Sequence, residues 1–436
     1  MLPASRCYFL LLLGLAIALL LAIFINQQIS ILGTLIFDGI VIGLTLIDAR
    51  RVKANRVEVS RLPLQRLSIG RDNPVRLFVK AGNRHALIHI RDDYPIAFKV
   101  FPAILQATLT PHSTQELTYQ IHPDSRGEFE WGVIQVRQLG QWGLAWHDWK
   151  IPDRQKVSIY PDLAGLRSLS IRLTLQNTGT MKQMRRLGMG TEFAELREYS
   201  QGDDLRLIDW KSTARHGRPL VRVLEPEREQ TFDLSYSISG RLMTAQVQGL
   251  KRFDWGLNAT LSLALAGLHR GDRVGVGIFD RTVATWVPPE RGQHQLINLI
   301  ECLTPIQPIL LEPDYVSAVT KVANQQTRRA LVVVITDIVD ATASAELLAA
   351  MKRLTPRYLP FCVALRDPQV DKIAHTPTDI IKTAYERAVA LDLLSQRQVT
   401  FSELKQKGVL VLDAPADRMS EQLVDRYLRL KARNLL

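Results

Sequence analysis

Residues 330–337 read ALVVVITD, and this run decides the fold of the C-terminal half of the chain. An unbroken apolar run that ends in an aspartate is typical of a parallel strand buried on both faces. Similar runs occur further out in both directions, at 273–279, 358–365 and 409–412. Helical patterns alternate with these runs, at 253–268, 293–303, 344–354, within 379–407 and at 419–433. Strands that alternate with helices predict an α/β doubly wound domain whose parallel sheet is covered on both faces.

Aspartates follow several of these strands, at Asp280, Asp337, Asp340, Asp367 and Asp413. The carboxyl ends of parallel strands form the ligand crevice of such a sheet, and hard oxygen ligands suit a divalent cation. Alternatively, an aspartate at this position caps the helix that follows. Helix capping is favoured for Asp280, Asp367 and Asp413. For Asp337 both interpretations stay open.

Upstream of this domain, residues 190–222 read GTEFAELREYSQGDDLRLIDWKSTARHGRPLVR and mix acidic with basic side chains. Such a mixture around a tyrosine and a tryptophan indicates an ordered charge network rather than a solvated loop. The block resembles the signature of a bacterial domain-of-unknown-function family, number 58 (DUF58): Gly-x-x-Phe-x-x-Leu-Arg-x-Tyr-x-x-Gly-Asp-Asp-x-Arg-x-Ile-Asp-Trp. The candidate interaction residues are Arg197, Tyr199, Gly202, Asp203, Asp204, Arg206, Asp209, Trp210, Arg215 and Arg222. A purely structural ion-pair network explains them equally well.

The resemblance implies a von Willebrand factor A-like C-terminal domain and a MoxR-type AAA+ ATPase as partner. A complete A-domain metal site resembles Asp-x-Ser-x-Ser at the end of the first strand, together with a threonine from a later loop. Here the first strand should be 231–238, and Ile238 stands where family members usually carry the aspartate. The threonine also looks lost, because Glu-Pro-Asp-Tyr occupies that loop at 312–315.

A literal Asp-x-Ser-x-Ser does occur, as Asp233, Ser235 and Ser237, but it lies at the start of the predicted strand. Asp337 resembles the third-loop ligand of an A-domain site. The sequence therefore predicts at most a degenerate Mg²⁺ site. Alternating polar residues are also unusual for a central parallel strand.

Between the N-terminus and the signature, short alternating segments predict a β-sandwich. The segments are VRLFVKAG, HALIHIRD, AFKVFP, LTYQIHP, EWGVIQVRQL and KVSIYPD. Four tryptophans fall within 131–149, and we expect them to pack in this domain rather than bind a sugar. The predicted boundaries are 1–50 for the membrane segment, 51–165 for the sandwich, 166–228 for the signature junction and 229–436 for the α/β domain.

At the N-terminus, residues 7–25 and 29–47 are apolar runs of membrane-spanning length, separated by a short polar turn. They predict a transmembrane helical hairpin in preference to a signal peptide. Arg6 precedes the first run, and four basic residues lie at 50–56. The positive-inside rule then predicts a two-pass protein of the inner or plasma membrane, with its N-terminus and C-terminal domains cytoplasmic. Asp38 is functional or paired, or it lies protonated at the helix contact or in a homo-oligomer seam.

The chain has a net charge of +12, and nine Lys/Arg against two Asp/Glu fall within 50–80, next to the apolar segment. Because the signature is nearly balanced, the sequence favours no nucleic-acid partner. Three isolated cysteines suggest neither a disulfide framework nor a zinc site.

Three functions compete. The first is a membrane-anchored scaffold that docks an AAA+ ATPase during assembly or maturation of a protein complex. The second is metal-dependent ligand binding of the adhesion type, and the third is an undescribed enzyme that uses Asp203 and Asp204. No pairing of a nucleophile with a base is found, so no catalytic residue is predicted.

Overall fold

The computed structural model describes residues 2–24, 27–64, 66–184, 192–201, 203–225, 231–237, 241–326, 329–338, 342, 344–377 and 381–433. The chain divides into two units, Met1–Tyr160 and Pro161–Leu436. The first is rich in β-strands and carries the N-terminal helices, and the second holds the α/β domain.

Two consecutive apolar helices begin the first unit, α1 (Ser5–Phe24) and α2 (Gln27–Ala54), and they contact each other. Among the described helices, one stretch, 30–54, is long and apolar enough to cross a membrane, and 5–20 is a shorter apolar stretch. The Oδ1 atom of Asp38 is buried without a hydrogen-bond partner among the described residues. It lies 3.4 Å from where a Cβ on Gly14 of α1 would stand. Asp38 therefore faces the contact between the helices.

Twelve strands are described in the first unit. They are β1 (Leu2–Pro3), β2 (Glu58–Arg61), β3 (Leu67–Ser68), β4 (Asn73–Lys80), β5 (Ala86–Asp92), β6 (Phe98–Phe101), β7 (Leu105–Leu109), β8 (Thr114–Pro123), β9 (Gly127–Trp131), β10 (Ile134–Leu139), β11 (Ala145–Ile151) and β12 (Gln155–Tyr160). They form three sheets, in the orders β1-β11-β10-β5-β7, β2-β4-β8-β6 and β3-β12-β9. Alternate residues of β4 are buried, which is the pattern that a strand with one covered face requires.

The core of this unit surrounds Trp131, which is fully buried, whereas Trp146 and Trp149 are half-buried and Trp142 is exposed, so the packing prediction holds fully for Trp131 only. Its indole Nε1 donates to the Tyr119 hydroxyl, and that hydroxyl donates to Asp92 at 2.6 Å. Asp92 also forms a buried ion pair with Arg61. Burial, followed by the Asp92 charge, raises the pKa of Tyr119. The phenol therefore stays protonated and serves as a donor.

The end of α2 is tied to the sheet that contains β11. Asp48 is completely buried and accepts hydrogen bonds from the backbone N–H groups of Trp142 and Leu144, both at 3.2 Å. A Cβ on Gly140 would stand 2.0 Å from the Asp48 carboxylate, so only glycine leaves room for it. The N-terminal residues of the chain extend the same sheet, because β1 pairs with β11. The bases of both helices are thus fixed to one sheet.

In the second unit the principal sheet has the order β19-β18-β15-β20-β21-β22. The strands of this unit are β13 (Glu192–Glu198), β14 (Leu220–Glu225), β15 (Thr231–Ser237), β16 (Gln246–Val247), β17 (Leu250–Lys251), β18 (Arg273–Phe279), β19 (Val283–Glu290), β20 (Ala330–Thr336), β21 (Leu359–Arg366) and β22 (Leu410–Pro415). Every pair in the principal sheet is parallel except β18 with β19.

Ten α-helices are described in the second unit. They are α3 (Leu163–Met184), α4 (Trp210–His216), α5 (Arg241–Thr244), α6 (Arg252–His269), α7 (Gln293–Leu303), α8 (Tyr315–Gln325), α9 (Ala345–Leu354), α10 (Pro368–His375), α11 (Ile381–Gln406) and α12 (Met419–Ala432). Val332 and Val334 of β20 join a buried cluster with residues of α8 and α9. Helix α6 contacts β15, β18 and β20 and packs against α12.

The predicted apolar strands and the helices that alternate with them are present, and the ends of several are shifted by one to three residues. The polar run at 231–237 is a central strand between β18 and β20, despite its alternating sequence. The prediction of a single strand for EWGVIQVRQL is wrong, because the chain forms two strands there, β9 and β10, with a break at Gly132. A Cβ at Gly132 would stand 2.1 Å from the Asp93 carboxylate, so only glycine leaves room for that side chain at the break.

Candidate functional site

The signature folds into an antiparallel ribbon, here called the signature ribbon, made of β13, β14 and the connection between them. Its register runs from Glu192↔Glu225 to Glu198↔Leu220, with a bulge after Phe193. The connection contains a 3₁₀ turn at Leu205–Leu207 and helix α4. Gly217 ends α4 at φ 69°, in the left-handed conformation that glycine adopts most readily.

Asp209 holds α4 onto the ribbon. Its carboxylate accepts from the backbone N–H of Ser212 at 2.9 Å, which caps the helix, and from Arg222 Nε of β14 at 2.8 Å. These two contacts, the Ser212 bond first, lower the pKa of Asp209 below its ordinary value of 3.8. The backbone N–H of Asp209 donates to the carbonyl of Leu220 at 2.9 Å. Asp209 therefore joins the helix to the strand, and the Thr213 hydroxyl adds a bond from the backbone N–H of Leu220 at 3.0 Å.

A second ion pair orders the turn after β13. Asp203 accepts from Arg197 Nη2 at 2.5 Å and from the backbone N–H of Ser200 at 2.8 Å, and both contacts lower its pKa. Asp204 caps the 3₁₀ turn by accepting from the backbone N–H of Arg206 at 3.0 Å. Both aspartates of the predicted acidic turn are thus acceptors for donors of the ribbon itself. Gly202, between them and β13, lies outside the described residues.

Several large side chains of the signature ribbon face the solvent. Trp210 is 69% exposed and Leu205 is 64% exposed. Arg206 and Arg215 are also exposed, whereas Tyr199 is half-buried and its backbone N–H donates to the carbonyl of Pro219 at 3.0 Å. An exposed tryptophan at the first position of a capped helix, with exposed guanidinium groups near it in sequence, has the composition of a protein interaction hot spot.

The other candidate site lies at the carboxyl end of β20, where Asp337 follows the strand. Both of its carboxylate oxygens are engaged by donors: Oδ2 by Arg252, and Oδ1 by Arg397 at 3.1 Å and by the backbone N–H of Ile338 at 2.8 Å. The side chains of Asp337 and Arg397 are only 5% and 6% exposed. Two guanidinium groups therefore occupy the place where a cation ligated by Asp337 would stand.

Both arginines reach further aspartates. Arg252 Nη2 bonds Asp367 at 3.0 Å, and Arg397 Nη2 bonds Asp413 at 2.8 Å. Arg397 also donates to the carbonyl of Leu365 at 3.1 Å. We call these five charged side chains the sheet-edge network: Arg252, Asp337, Asp367, Arg397 and Asp413.

The predicted helix caps at this edge have mixed outcomes. Asp367 does cap α10, accepting from the backbone N–H of Gln369 at 2.9 Å. The capping prediction is wrong for Asp280, because this residue accepts from the backbone N–H of Thr282 in the turn before β19. It is also wrong for Asp413, which lies inside β22 and pairs with Arg397. Asp340 lies outside the described residues. Buried carboxylates at this edge need cationic partners, and the arginines supply them.

The residues present do not fit a divalent cation. Mg²⁺ requires several oxygen ligands at short distance, and here the Asp337 oxygens are taken by nitrogen donors. Across the described part of the chain, no three His, Cys, Asp or Glu side chains are grouped so that they could hold a metal ion. The 312–315 loop, predicted to lack the threonine ligand, starts α8, with Asp314 as its cap.

The alternative ligands Asp233, Ser235 and Ser237 lie within the central strand β15, whose backbone pairs with β18 and β20. Ile238, on which the missing-ligand argument depends, lies outside the described residues.

Comparisons with known proteins agree with the signature. A family profile described as "Protein of unknown function DUF58" matches residues 195–396, and the chain is similar to this family over those residues. Uncharacterized proteins of Mycobacterium tuberculosis and Mycobacterium bovis are each 27% identical over 185 residues, 42% of this chain and 57% of the relative. The chain thus spans little more than half the length of these relatives.

Among solved structures, an aerotolerance-related membrane protein from Bacteroides fragilis matches 44% of this chain and 94% of its own, with 15% identity and a TM-score of 0.30. The conserved hypothetical protein BatB from Bacteroides thetaiotaomicron matches 47% of this chain and 99% of its own, with 14% identity and a TM-score of 0.32. TM-scores this low support no functional inference for the present chain.

The sequence patterns did not point to Arg252 or Arg397. Each lies in a helix, 85 and 60 residues from Asp337 in the chain. The available signal was indirect: several strands end in aspartate, and carboxylates gathered at one buried edge require cations.

Proposed function

We propose that the chain is a membrane-anchored, cytosolic-facing interaction scaffold without catalytic activity. One observation carries the proposal: the signature ribbon uses its charged side chains to hold its own shape and leaves Trp210 and Leu205 exposed. A rigid element that presents an aromatic anchor suits docking, because little conformational entropy is lost on binding.

The proposed anchor is a two-pass hairpin of α1 and α2 in the inner or plasma membrane. Apolar side chains on both helices face outward, among them Phe9 and Leu12 on α1 and Leu35 on α2. Basic residues flank both ends of the hairpin, and the positive-inside rule then favours a cytoplasmic N-terminus and cytoplasmic domains after the hairpin. The buried Oδ1 atom of Asp38, next to Gly14, supports a role in the helix contact, and a homo-oligomer seam is the alternative.

The proposed partner is a MoxR-type AAA+ ATPase, and the proposed task is assembly or maturation of a protein complex. The support is the resemblance of the signature to the DUF58 family. The same resemblance supports a β-sandwich followed by a von Willebrand factor A-like domain, with which the strand order and the antiparallel edge strand β19 are compatible.

We further propose that the sheet edge works without Mg²⁺. Arg252 and Arg397 supply the positive charge that a metal would bring to Asp337. A metal-dependent adhesion function would have to displace the buried guanidinium group of Arg397 and the largely buried one of Arg252, and leaving such charges unpaired is costly. The metal-dependent alternative is therefore not favoured by this geometry.

The docking proposal is tested by co-purification from native membranes, with crosslinking and ATP. Full-length wild type is compared with Trp210→Ala and Arg206→Ala, and Tyr385→Ala serves as the control because Tyr385 is an equally exposed aromatic residue on α11. The expected result is an AAA+ ATPase with wild type and with the control, and its loss with the two ribbon variants. If wild type recovers no such ATPase, the partner assignment fails.

Topology is tested separately, by protease treatment of right-side-out vesicles. A cytosolic C-terminus is protected until the vesicles are opened, whereas digestion from outside would contradict the orientation.

A further inference from the structure

A cavity of about 860 Å³ lies in the first unit where α1 begins, and nothing in the proposed docking function uses it. Its walls come from the start of α1, the loop before β5 and the loop between β10 and β11. Its size is within the range of small-molecule binding sites.

The charge of the cavity is one-sided. Arg6, Arg84 and His85 contribute to its lining, and none of the described residues that line it is acidic. The carboxylate of Asp48 on α2 is fully buried and accepts hydrogen bonds from the backbone N–H groups of Trp142 and Leu144. The cavity thus offers guanidinium donors to an anion without a competing carboxylate.

The loop between β10 and β11 is shaped to hold Arg6 at the cavity. Gly143 has a φ of 69°, and a Cβ there would stand 3.0 Å from Arg6 Cδ. Trp142 lines the cavity next to it, with the Arg51 guanidinium 4.4 Å from the centre of its ring. Arg84 Nη1 donates to Gln141 Oε1 at 2.5 Å, which positions this arginine on the same loop.

The cavity also adjoins an apolar surface. Helix α1 starts at Ser5, which lines the cavity, and continues with the exposed side chains of Tyr8, Phe9 and Leu12. A ligand with an anionic group and long apolar chains would place the anionic group in the cavity and the apolar chains along α1. Tryptophan and arginine are the side chains that favour the headgroup level of a bilayer.

We propose that this cavity binds the phosphate-bearing headgroup of an anionic phospholipid, with its acyl chains along α1. The inference rests on the proposed membrane insertion of α1 and α2. Its consequence is a lipid-dependent anchor: the headgroup would bridge the helix base to the loops before β5 and after β10.

The test uses the full-length protein in detergent micelles, to which phosphatidylglycerol or phosphatidylcholine is added, with bound lipids counted by native mass spectrometry. Arg84 is changed rather than Arg6, because Arg6 also bears on topology. Near a membrane each basic side chain contributes roughly a fivefold gain in affinity for anionic lipid. Arg84→Gln should therefore weaken phosphatidylglycerol binding about fivefold, and the charge reversal Arg84→Glu about 25-fold.

The matched control is Arg76→Glu, an exposed arginine on β4 that pairs with Glu116 and does not line the cavity. Phosphatidylglycerol binding that is preferred over phosphatidylcholine, kept in Arg76→Glu and lost in Arg84→Glu supports the proposal. Equal losses in the two variants overturn it. Full competition by millimolar inorganic phosphate would show a free-anion site and also overturn the lipid assignment.

Failure of membrane insertion is read by a different measurement. Release of the protein from membranes by alkaline carbonate would contradict the anchor, whereas the micelle experiment reports headgroup binding in either case.

Discussion

Replacing Arg397 with methionine removes one buried guanidinium from the sheet-edge network while keeping most of the side-chain volume. The change leaves Asp337 with Arg252 alone, and leaves Asp413 with Arg366 at 3.8 Å. Breaking a buried ion pair from one side costs about 3–5 kcal/mol in free energy of unfolding. Because each carboxylate keeps one cation, we expect a loss at the lower end, about 3 kcal/mol.

For a unit of this size 1 kcal/mol shifts the Tm by roughly 2–3 °C, so Arg397→Met should lower it by about 6–9 °C. The assay is hydrogen exchange of the full-length protein along a temperature ramp, read on peptides from β20 and β21, so that only this sheet is followed. The control is Arg172→Met, whose pair with Glu421 at 2.9 Å is solvent-exposed. It should cost under about 1 kcal/mol. Equal shifts in the two variants would refute the reasoning that the network holds the sheet edge.

Three further outcomes are expected. Gly140→Ala should destabilise the first unit by about 1–3 kcal/mol, because the new Cβ would collide with Asp48. Gly82→Ala is the control and should be tolerated, because its Cβ would stand 3.7 Å from the nearest atom, the backbone oxygen of Asn55. Thermal unfolding of both variants measures the difference. Addition of Mg²⁺ should leave the Tm of the second unit unchanged, and a concentration-dependent rise would show a metal site that the geometry does not provide. Because the pKa values of Asp203 and Asp209 are depressed below 3.8, their stabilisation of the signature ribbon is complete above that pH and is lost as the pH falls below it. Amide protection in the ribbon, compared at pH 5 and pH 3, should show this loss.

The parallel strands were predictable because burial on both faces leaves an unambiguous apolar run. Arg273–Phe279 and Ala330–Thr336 have the predicted bounds. The edge strand β19 was missed because one side of an edge strand is free, and its sequence contains two prolines and polar residues that do not read as a buried strand.

The site was only partly predictable. The signature indicated an ordered charge network, and local spacing explains why: Asp209 reaches Ser212, and Asp203 reaches Arg197. Partners in the sheet-edge network are distant in sequence, so the pairing of Asp337 with Arg397 depends on how α11 packs across the sheet edge. Nothing in the local sequence pattern distinguishes a carboxylate that binds a metal from one that pairs with a guanidinium group.

The central claim is that the signature ribbon is a docking surface, and site-specific photo-crosslinking in native membranes tests it most directly. A photoreactive amino acid replaces Trp210 in the full-length protein, and the same group placed at Tyr385, also exposed, is the control. With ATP present, the account predicts a crosslink to an AAA+ ATPase from position 210 and none from position 385. Crosslinking to that ATPase from both positions, or from 385 alone, would contradict it.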